Sequence, residues 1–204
     1  MRAKRESYHH GTLRETLIEA ALAYVELHGH ETLSLRDLAQ QIGVTRGAPY
    51  RHFTERSELL AEVAGRGCVM MLACFDAAID PEAAPFTQFR AGSLGLLEFT
   101  KAHPHLFRLI SSREIADTAS QEPSLREALR RVFARIHEVM AAALPHLDAT
   151  ALWLRHMAQW STLTGYAMIL QNRLLLPDAP NEIDREKIEA AIIDAAVGPD
   201  RGGE

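Results

Sequence analysis

The feature that most constrains this chain is a segment near its N-terminus, residues 33–60, which holds two short amphipathic patterns separated by Gly43-Val44. Four apolar side chains of the first pattern recur at helical spacing and share one face: Leu35, Leu38, Ala39 and Ile42. A glycine is a common helix stop, so a second helix is expected after the break. Two short helices joined in this way form a helix-turn-helix, which places its second helix in the DNA major groove. The segment therefore predicts a DNA-binding head.

Capping signals predict where these helices begin. Thr12, with a glutamate three residues later, is expected to open a first helix that ends at Gly29. Ser34 is also followed by an acid three residues later and is expected to open the second helix. Thr45 is the expected N-cap of the third helix. Pro49 suits that helix poorly, because it would lie just past the free amides of the first turn.

The rest of the chain is expected to be helical, because Leu, Ala, Glu and Arg dominate it and the Val, Ile and Thr alternation typical of strands is missing. Six further helices are predicted, at residues 54–79, 86–102, 106–110, 124–144, 148–171 and 184–197. Residues 111–123 and 176–181 contain prolines and are predicted as loops. These patterns predict an all-α fold of about nine helices.

Composition narrows the class of protein. Apolar residues make up 47% of the 204 residues, which is ample for a buried core. No run approaches the roughly 18 to 20 apolar residues of a membrane span. The basic, polar N-terminus has no apolar stretch behind it, unlike a secretory signal. Cys68 and Cys74 form neither a disulfide framework nor a zinc-binding spacing, so a cytoplasmic protein is expected.

The charge is unevenly distributed along the chain. The formal net charge is −5, yet residues 1–66 carry nine basic and nine acidic residues. The excess of negative charge therefore lies in residues 67–204. Acidic groups repel phosphate, and the later residues should therefore lie away from DNA. Because the N-terminal segment is itself not strongly basic, its DNA contacts are expected from a few well-placed residues.

Residues from Leu13 to Leu60 resemble the DNA-binding domain of TetR-type transcriptional regulators. The motifs that carry the resemblance are the helix end at Gly29, Ser34-Leu-Arg-Asp-Leu-Ala39, Gly43-Val44, Tyr50-Arg-His-Phe53, Arg56 and Leu59-Leu60. Arg56 stands where the family usually has lysine, a change that keeps the charge. Residues 47–53, with Tyr8-His-His-Gly11, are similar to a subgroup whose C-terminal domain carries a Trp-His-Gly signature. The corresponding stretch here, residues 160–165, begins with Trp160 and ends with Gly165 but lacks the histidine.

The resemblance implies an all-helical homodimer with two domains. The predicted division is a flexible basic arm at residues 1–11, a three-helix DNA-binding domain at 12–56, a ligand-binding and dimerisation domain at 57–197 and a disordered tail at 198–204. The expected partners are an operator on double-stranded DNA, pseudo-palindromic to match the dimer, and a small apolar or aromatic effector. A repressor released by that effector is the expected function, cytoplasmic and nucleoid-associated when bound to DNA.

Nine residues of the head are expected at the DNA: Ser34, Arg36, Thr45, Arg46, Gly47, Ala48, Tyr50, His52 and Arg56. Arg46 suits guanine O6 and N7, and the two small residues after it allow the backbone to approach the groove. Tyr50, His52 and Arg56 suit phosphates. Capping alone also explains Ser34 and Thr45, and Tyr50 is also compatible with a partly buried core position.

Two residue sets are expected in the later helices. Candidates for an effector pocket are Met70, Phe75, Phe89, Phe107, Met140, Trp153, Met157, Trp160 and Tyr166. Candidates for the dimer interface are Leu152, Leu163, Ile169, Ile188, Ala191, Ile192 and Ala195. Simple core packing explains either set equally well from the pattern alone, so the resemblance is what favours ligand binding and dimerisation.

No cofactor, metal site or enzymatic activity is expected. The ten histidines lack the spacing of a strong metal site, and no catalytic or nucleotide-binding motif is present. The alternative function is a helical ligand-binding or protein-interaction dimer that does not read DNA. The neutral N-terminal segment and Pro49 support that alternative.

Overall fold

The structure, a computed structural model, describes residues 10–172 and 184–199, with side chains from Leu13 onward. These residues form nine α-helices and a short 3-10 helix: α1 (His10–His28), α2 (Leu35–Gln41), the 3-10 helix (Pro49–Arg51), α3 (Arg56–Ala77), α4 (Pro85–Ala102), α5 (Pro104–Ile110), α6 (Arg113–Ala119), α7 (Pro123–Ala143), α8 (Ala149–Gln171) and α9 (Arg185–Val197). No strand occurs in these described ranges. The predicted all-α fold of about nine helices is confirmed. A membrane crossing would need a longer apolar stretch than any described helix offers.

The described chain divides into two compact units. The first contains residues 10–67 and 105–127, and the second contains residues 68–104, 128–172 and 184–199. This division differs from the predicted boundary at residue 57, because α5, α6 and the start of α7 pack with the N-terminal helices. A Cβ at Gly67 would lie 2.8 Å from Ile110 Cδ1 and 2.9 Å from Leu106 Cγ. The missing side chain therefore lets α3 approach α5 closely.

Apolar side chains from α1, α2, α3, α5 and α6 form the core of the first unit. Those almost fully buried are Leu17, Ile18, Val25, Leu38, Phe53, Leu59, Leu60, Leu106, Leu109 and Ile115. Gly29 ends α1 as predicted, with a φ of +81° that a residue with a side chain rarely adopts.

The predicted starts of the first two helices have different outcomes. The first helix begins at His10, so Thr12 lies inside α1 and is not its cap. The predicted arm overlaps this helix at residues 10 and 11, and its first nine residues lie outside the described part of the chain. Ser34 caps α2 as predicted, and its Oγ accepts a hydrogen bond from the Asp37 N–H at 3.4 Å.

Residues 111–123 were predicted to be a loop and instead contain α6. Ser112 caps this helix by accepting from the Ile115 N–H at 3.2 Å, and the Ile115 side chain is buried. Seven residues are too few for apolar periodicity to show, which is why the pattern did not predict it. The other later helices are present with ends shifted by at most two residues, and Asp148 and Asp184 cap α8 and α9. The predicted loop at 176–181 and tail residues 200–204 lie outside the described residues.

Close packing of α3 against α4 organises the second unit. A Cβ at Gly92 would lie 2.5 Å from the Phe75 ring, and a Cβ at Gly95 would overlap the Cys74 carbonyl oxygen. Phe75 and Phe89 are fully buried in this core. The two glycines therefore permit a helix spacing that any larger residue would widen.

Paired polar groups fasten α8 and α9 to α4. The Gln159 side chain donates to Ser93 Oγ at 2.7 Å, and both residues are buried. Lys101 Nζ donates to the Glu189 carboxylate at 2.9 Å. Because buried polar groups are costly when unpaired, these bonds favour one arrangement of the three helices.

His156 on α8 is a buried titratable side chain of the second unit. It is 4% exposed, and its Nε2 has no hydrogen-bond partner among the residues that the structure describes. Burial, assisted by repulsion from the nearby His137, lowers the pKa of His156 to about 4. The imidazole is therefore neutral at neutral pH.

We expect His156 to make the protein sensitive to acid. Between its ordinary pKa of 6.5 and its folded value of about 4, the unfolded chain binds a proton that the folded chain does not. The stability due to neutral His156 is therefore fully present above pH 6.5 and is lost as the pH falls toward 4. His156→Leu should make the decrease in the urea unfolding midpoint over this pH range shallower than in the wild type. His146→Leu, at an exposed histidine, should leave the wild-type slope unchanged; equal slopes for all three proteins would contradict a buried, neutral His156.

Candidate nucleic-acid interface

A tight turn joins α2 to the segment predicted to read DNA. Gly43 has a φ of +75°, in the left-handed region, so the predicted break at this residue is confirmed. The Val44 N–H donates to the Ala39 carbonyl at 2.9 Å and closes the end of α2. A Cβ at Gly43 would meet nothing within 4 Å, so the backbone conformation, and not crowding, requires glycine here.

The segment after this turn is not the α-helix that was predicted from Thr45. The Ala48 N–H donates to the Thr45 carbonyl at 2.9 Å, and only Pro49–Arg51 forms a 3-10 helix. Pro49 has no N–H to donate to the Thr45 carbonyl, so the bond that an α-helix would make there is missing and the tighter three-residue spacing takes its place. The candidate reading element is therefore a 3-10 turn within residues 45–52.

Phe53 anchors this turn to the core of the first unit. Its side chain is 1% exposed, which contributes on the order of 1.5–3 kcal/mol of apolar burial. The Arg14 guanidinium lies over the Phe53 ring at 5.2 Å and donates to Glu62 at 2.6 Å. Tyr50, three residues earlier, is 57% exposed. The turn thus combines a buried anchor with a side chain available at the surface.

Three arginines of this region are exposed and make no side-chain bond to another described residue. Arg36 on α2, Arg46 in the turn and Arg51 in the 3-10 helix are exposed, and none makes an ion pair or side-chain hydrogen bond within the described ranges. The 3-10 helix packs against α2, so the three residues lie on adjoining elements. Free guanidinium groups are the side chains best suited to phosphates and guanine edges.

Arg51 was missed by the sequence reasoning, which selected its neighbours Tyr50 and His52. The available signal was local charge. Residues 34–53 hold three arginines against Asp37 alone, whereas residues 13–33 hold Arg14 against four glutamates. Positive charge is therefore concentrated where the turn is built, although the head as a whole is neutral.

The other residues expected at the DNA have varied exposure. Thr45 and Gly47 are exposed, and a Cβ at Gly47 would meet nothing within 4 Å. Ser34, Ala48 and His52 are half-buried. Ser34 caps α2, which is the alternative to a DNA contact that the sequence also allows for this residue.

Arg56 was expected at a phosphate, but its guanidinium is used inside the first unit. Its Nε donates to the Leu33 carbonyl at 3.0 Å, its Nη1 donates to Glu114 at 2.6 Å, and its Nη2 donates to the His30 carbonyl. Three of the five N–H donors of Arg56 are thus used inside the first unit, one on each nitrogen. This geometry gives Arg56 a structural role, and its phosphate contact stays a prediction.

Comparison with known families identifies the chain. A family model described as bacterial regulatory proteins, tetR family, matches residues 17–63, and a tetracyclin repressor-like C-terminal domain model matches residues 89–194, which is more than half of the chain. The chain belongs to the TetR family. It is therefore a DNA-binding transcriptional regulator, and the turn described above lies within its helix-turn-helix. The Trp-His-Gly subgroup stays a prediction.

Two repressors are similar to this TetR-family chain in sequence. It is 25% identical over 173 residues to the HTH-type transcriptional repressor KstR of Mycobacterium tuberculosis, which covers 79% of this chain and 76% of KstR. It is 39% identical over 61 residues to a protein of Escherichia coli K12 named "Probable acrEF/envCD operon repressor". That match covers 30% of this chain and spans only 28% of the E. coli protein.

Solved structures share the fold. A protein of unknown function from Rhodococcus sp. RHA1 superposes with a TM-score of 0.73 at 25% identity, covering 97% of this chain and 100% of that one. The TetR family transcriptional regulator PfmR from Thermus thermophilus superposes with a TM-score of 0.58 at 20% identity, covering 92% and 98%.

The second unit of this TetR-family chain contains a cavity of about 370 Å³ between α7 and α8. Of the predicted pocket residues, Trp153 and Met157 line it, and the Trp160 ring lies 5.8 Å from that of Phe133 in its wall. The remaining predicted residues do not line it: Phe75, Phe89, Met140 and Tyr166 are buried, Met70 is half-buried, and Phe107 belongs to the first unit. Sequence reasoning missed Phe133, whose spacing on α7 resembled an ordinary amphipathic helix.

The predicted dimer residues also divide by exposure. Leu152 and Leu163 are 8% and 2% exposed, because they pack inside the second unit, and so a role at a dimer surface is wrong for them. Ile169, Ala191 and Ala195 are exposed, and Ile188 and Ile192 are half-buried. Large exposed apolar side chains that were not on the predicted interface are Trp153, Leu154, Met157 and Met168.

We expect Arg56→Gln to destabilise the protein by about 1–3 kcal/mol, because the Leu33 carbonyl and the Glu114 carboxylate lose the donor from Arg56, and the His30 carbonyl keeps only the Leu33 N–H. Arg51→Gln is the matched control, an exposed arginine without such bonds, and should change the unfolding free energy by less than about 0.5 kcal/mol. Urea unfolding of both variants measures the difference. Equal effects would remove the structural role assigned to Arg56.

Proposed function

We propose that the chain acts as a homodimeric repressor that binds a pseudo-palindromic operator and is released from it by a small apolar or aromatic molecule. Family membership establishes a DNA-binding regulator. The observation that carries the finer proposal is the set of exposed, uncommitted arginines Arg36, Arg46 and Arg51 on the two adjoining elements of the helix-turn-helix. Such a regulator works on the nucleoid, in the cytoplasm.

Arg46 is the proposed base-reading residue. It is exposed in the turn, and Gly47 beside it leaves open space, so the backbone can approach the floor of the major groove. Arg36, Arg51 and Tyr50 are the proposed phosphate contacts, because they are exposed on the flanking elements and such contacts fix the register of the protein on DNA. Secondary contacts are proposed for Ser34, Thr45, Ala48 and His52.

We expect Arg46→Ala to weaken operator binding by roughly 1–3 kcal/mol and to relax the preference at one base pair of each half-site. Arg51→Ala should weaken binding to all sequences alike and flatten its salt dependence, because a phosphate contact releases counterions. Fluorescence anisotropy on operator and random duplexes at several salt concentrations separates the two effects. Arg131→Ala, at an exposed arginine of the second unit, is the control and should change neither quantity. Equal losses on both duplexes for Arg46→Ala would show a phosphate contact in place of base reading.

The proposed dimer surface is the apolar face that α8 and α9 leave exposed. At 3.6 residues per turn, Trp153, Leu154, Met157 and Met168 of α8 fall within an arc of about 100°. On α9, residues 188, 191, 192 and 195 repeat at helical spacing and are exposed or half-buried. The two helices pack against each other, so their apolar faces can form one surface. Exposed apolar area of this kind is typical of an interface between copies.

We expect Met168→Glu to weaken the dimer by roughly tenfold or more, because each interface would bury two uncompensated carboxylates. Met168 is 55% exposed, so the substitution should leave the fold intact. Sedimentation equilibrium measures the dissociation constant. Leu27→Glu places the same change at a 72% exposed leucine of the first unit and should have no effect. An unchanged dimer in Met168→Glu would exclude this part of α8 from the interface.

Selection of bound DNA from a random duplex pool, at fixed near-physiological salt, tests the proposed function directly. An enriched inverted repeat is expected, with the two half-sites separated by about one helical turn or a multiple of it. Enrichment of nothing, together with no retention on a DNA column, would overturn the proposal. That result would favour the alternative of a helical ligand-binding or protein-interaction dimer that does not read DNA.

A further inference from the structure

The cavity between α7 and α8 has the size and the walls of a small-molecule site. Its volume of about 370 Å³ lies within the usual range for ligand pockets, and is more than twice the roughly 150 Å³ that holds one benzene ring. Phe133, Trp153 and Met157 supply apolar walls. A ligand with one or two fused rings therefore fits.

The aromatic rings around the cavity form a connected group. The Phe133 and His156 ring centroids lie 5.0 Å apart with planes inclined by 32°. The His137 and His156 rings lie 6.1 Å apart and are stacked, with planes inclined by 19°. Trp160 extends the group beyond Phe133. Flat π-surfaces at these separations suit a planar ligand that continues the stack.

His156 supplies the polar feature of the cavity. Its side chain lines the cavity, is 4% exposed, and holds a buried Nε2 without a hydrogen-bond partner in the described part of the chain. Burial keeps the imidazole neutral at neutral pH, because it lowers the pKa to about 4. A neutral imidazole nitrogen either accepts or donates one hydrogen bond, according to its tautomer, and a hydroxyl group can serve both cases.

Charge at the cavity disfavours one class of ligand. Arg130 stands one turn before Phe133 on α7 and lines the same cavity, and no carboxylate is among the described residues that line it. A cationic ligand would meet the Arg130 guanidinium, which has a partner of its own, and no acidic side chain among the described lining residues. Neutral and anionic ligands are therefore favoured.

We propose that this cavity binds a planar aromatic molecule that carries a hydroxyl group, directed to His156 Nε2, and no positive charge. That this molecule is the effector rests on the proposed function. A rotation of the His156 ring would bring its buried Nε2 to the hydroxyl, the ligand ring would stack on Phe133 and Trp153, and an acidic substituent would face Arg130.

The chain contains its own reporter for this site. Its only two tryptophans are Trp153, in the cavity wall, and Trp160, whose ring lies beside Phe133. Quenching of intrinsic tryptophan fluorescence therefore reports on this region alone and needs no DNA. Three probes with the same two-ring skeleton separate the contributions: hydroxynaphthoate, naphthoate without the hydroxyl, and the cationic naphthylmethylammonium.

We expect hydroxynaphthoate to quench the wild-type fluorescence and to bind on the order of threefold to tenfold more tightly than naphthoate. In His156→Leu that ratio should fall to about one, while naphthoate binding stays the same or improves. Naphthylmethylammonium should bind more weakly than naphthoate, and Arg130→Gln should reduce this difference in affinity between the two probes. His146→Leu and Arg131→Gln, exposed residues outside the cavity, should behave as the wild type.

Three results would overturn the proposal: no quenching by any probe, a hydroxyl preference that persists in His156→Leu, or quenching that appears only in Met168→Glu at a concentration where that variant is monomeric. The last would show that a second copy of the chain covers the cavity. Release from the selected operator is measured separately with the same probes. Binding with the expected dependence on His156, but without release, would contradict the proposed effector function and leave the ligand site standing.

Discussion

The carbonyl groups of His30 and Leu33 come just before α2, in a loop that has few backbone partners of its own. Arg56 reaches both of them from the start of α3, and its third donor holds Glu114 on α6. A planar guanidinium serves three acceptors in fixed directions, which a lysine ammonium on a flexible stem does less well. The direction in which α2 leaves the loop, and hence the placement of the turn that follows it, depends on this group of bonds. Arg56, which the family resemblance suggests as a phosphate contact, thus also holds the loop from which α2 begins.

The pairing of charges within the first unit explains how a neutral head can still offer cations to DNA. Arg14 is paired with Glu62, Arg66 with Glu15 and Arg56 with Glu114. In these pairs the glutamates neutralise arginines that pack within the unit. Exposed ion pairs of this kind contribute little to stability. Arg36, Arg46 and Arg51, which take no part in such pairs within the described ranges, lie on α2, in the turn after it and in the 3-10 helix. The neutral total charge, which favoured a protein that does not read DNA, is therefore a poor guide to the local potential, because only unpaired charges at the surface attract phosphate strongly.

How far sequence predicts this structure depends on the range of the interactions involved. Ser34, Gly29 and Gly43 act through their own neighbours in the chain, and the α2 cap and both turns were predicted correctly. Pro49 was recognised as awkward, but its consequence, a 3-10 turn in place of a helix, required knowing that Ala48 would take the Thr45 carbonyl. The features of the candidate sites that the sequence pattern does not show depend on non-local contacts. Arg56 finds partners 23, 26 and 58 residues away, and the α7–α8 cavity joins residues whose spacing on each helix is that of ordinary core.

The helix α8 contributes to three environments at once. Gln159 faces the core and bonds to Ser93, His156 meets the cavity, and Met168 lies on the exposed apolar face. Trp153 and Met157 are shared, since both line the cavity and both belong to the arc of exposed residues. A ligand that stacks on these side chains changes the surface that a second copy would meet, and a second copy changes the cavity. By linkage, the effect of the ligand on dimer affinity must then equal the effect of dimerisation on ligand affinity. In the proposed dimer, a ligand site at this place would therefore be coupled to the association of the two copies.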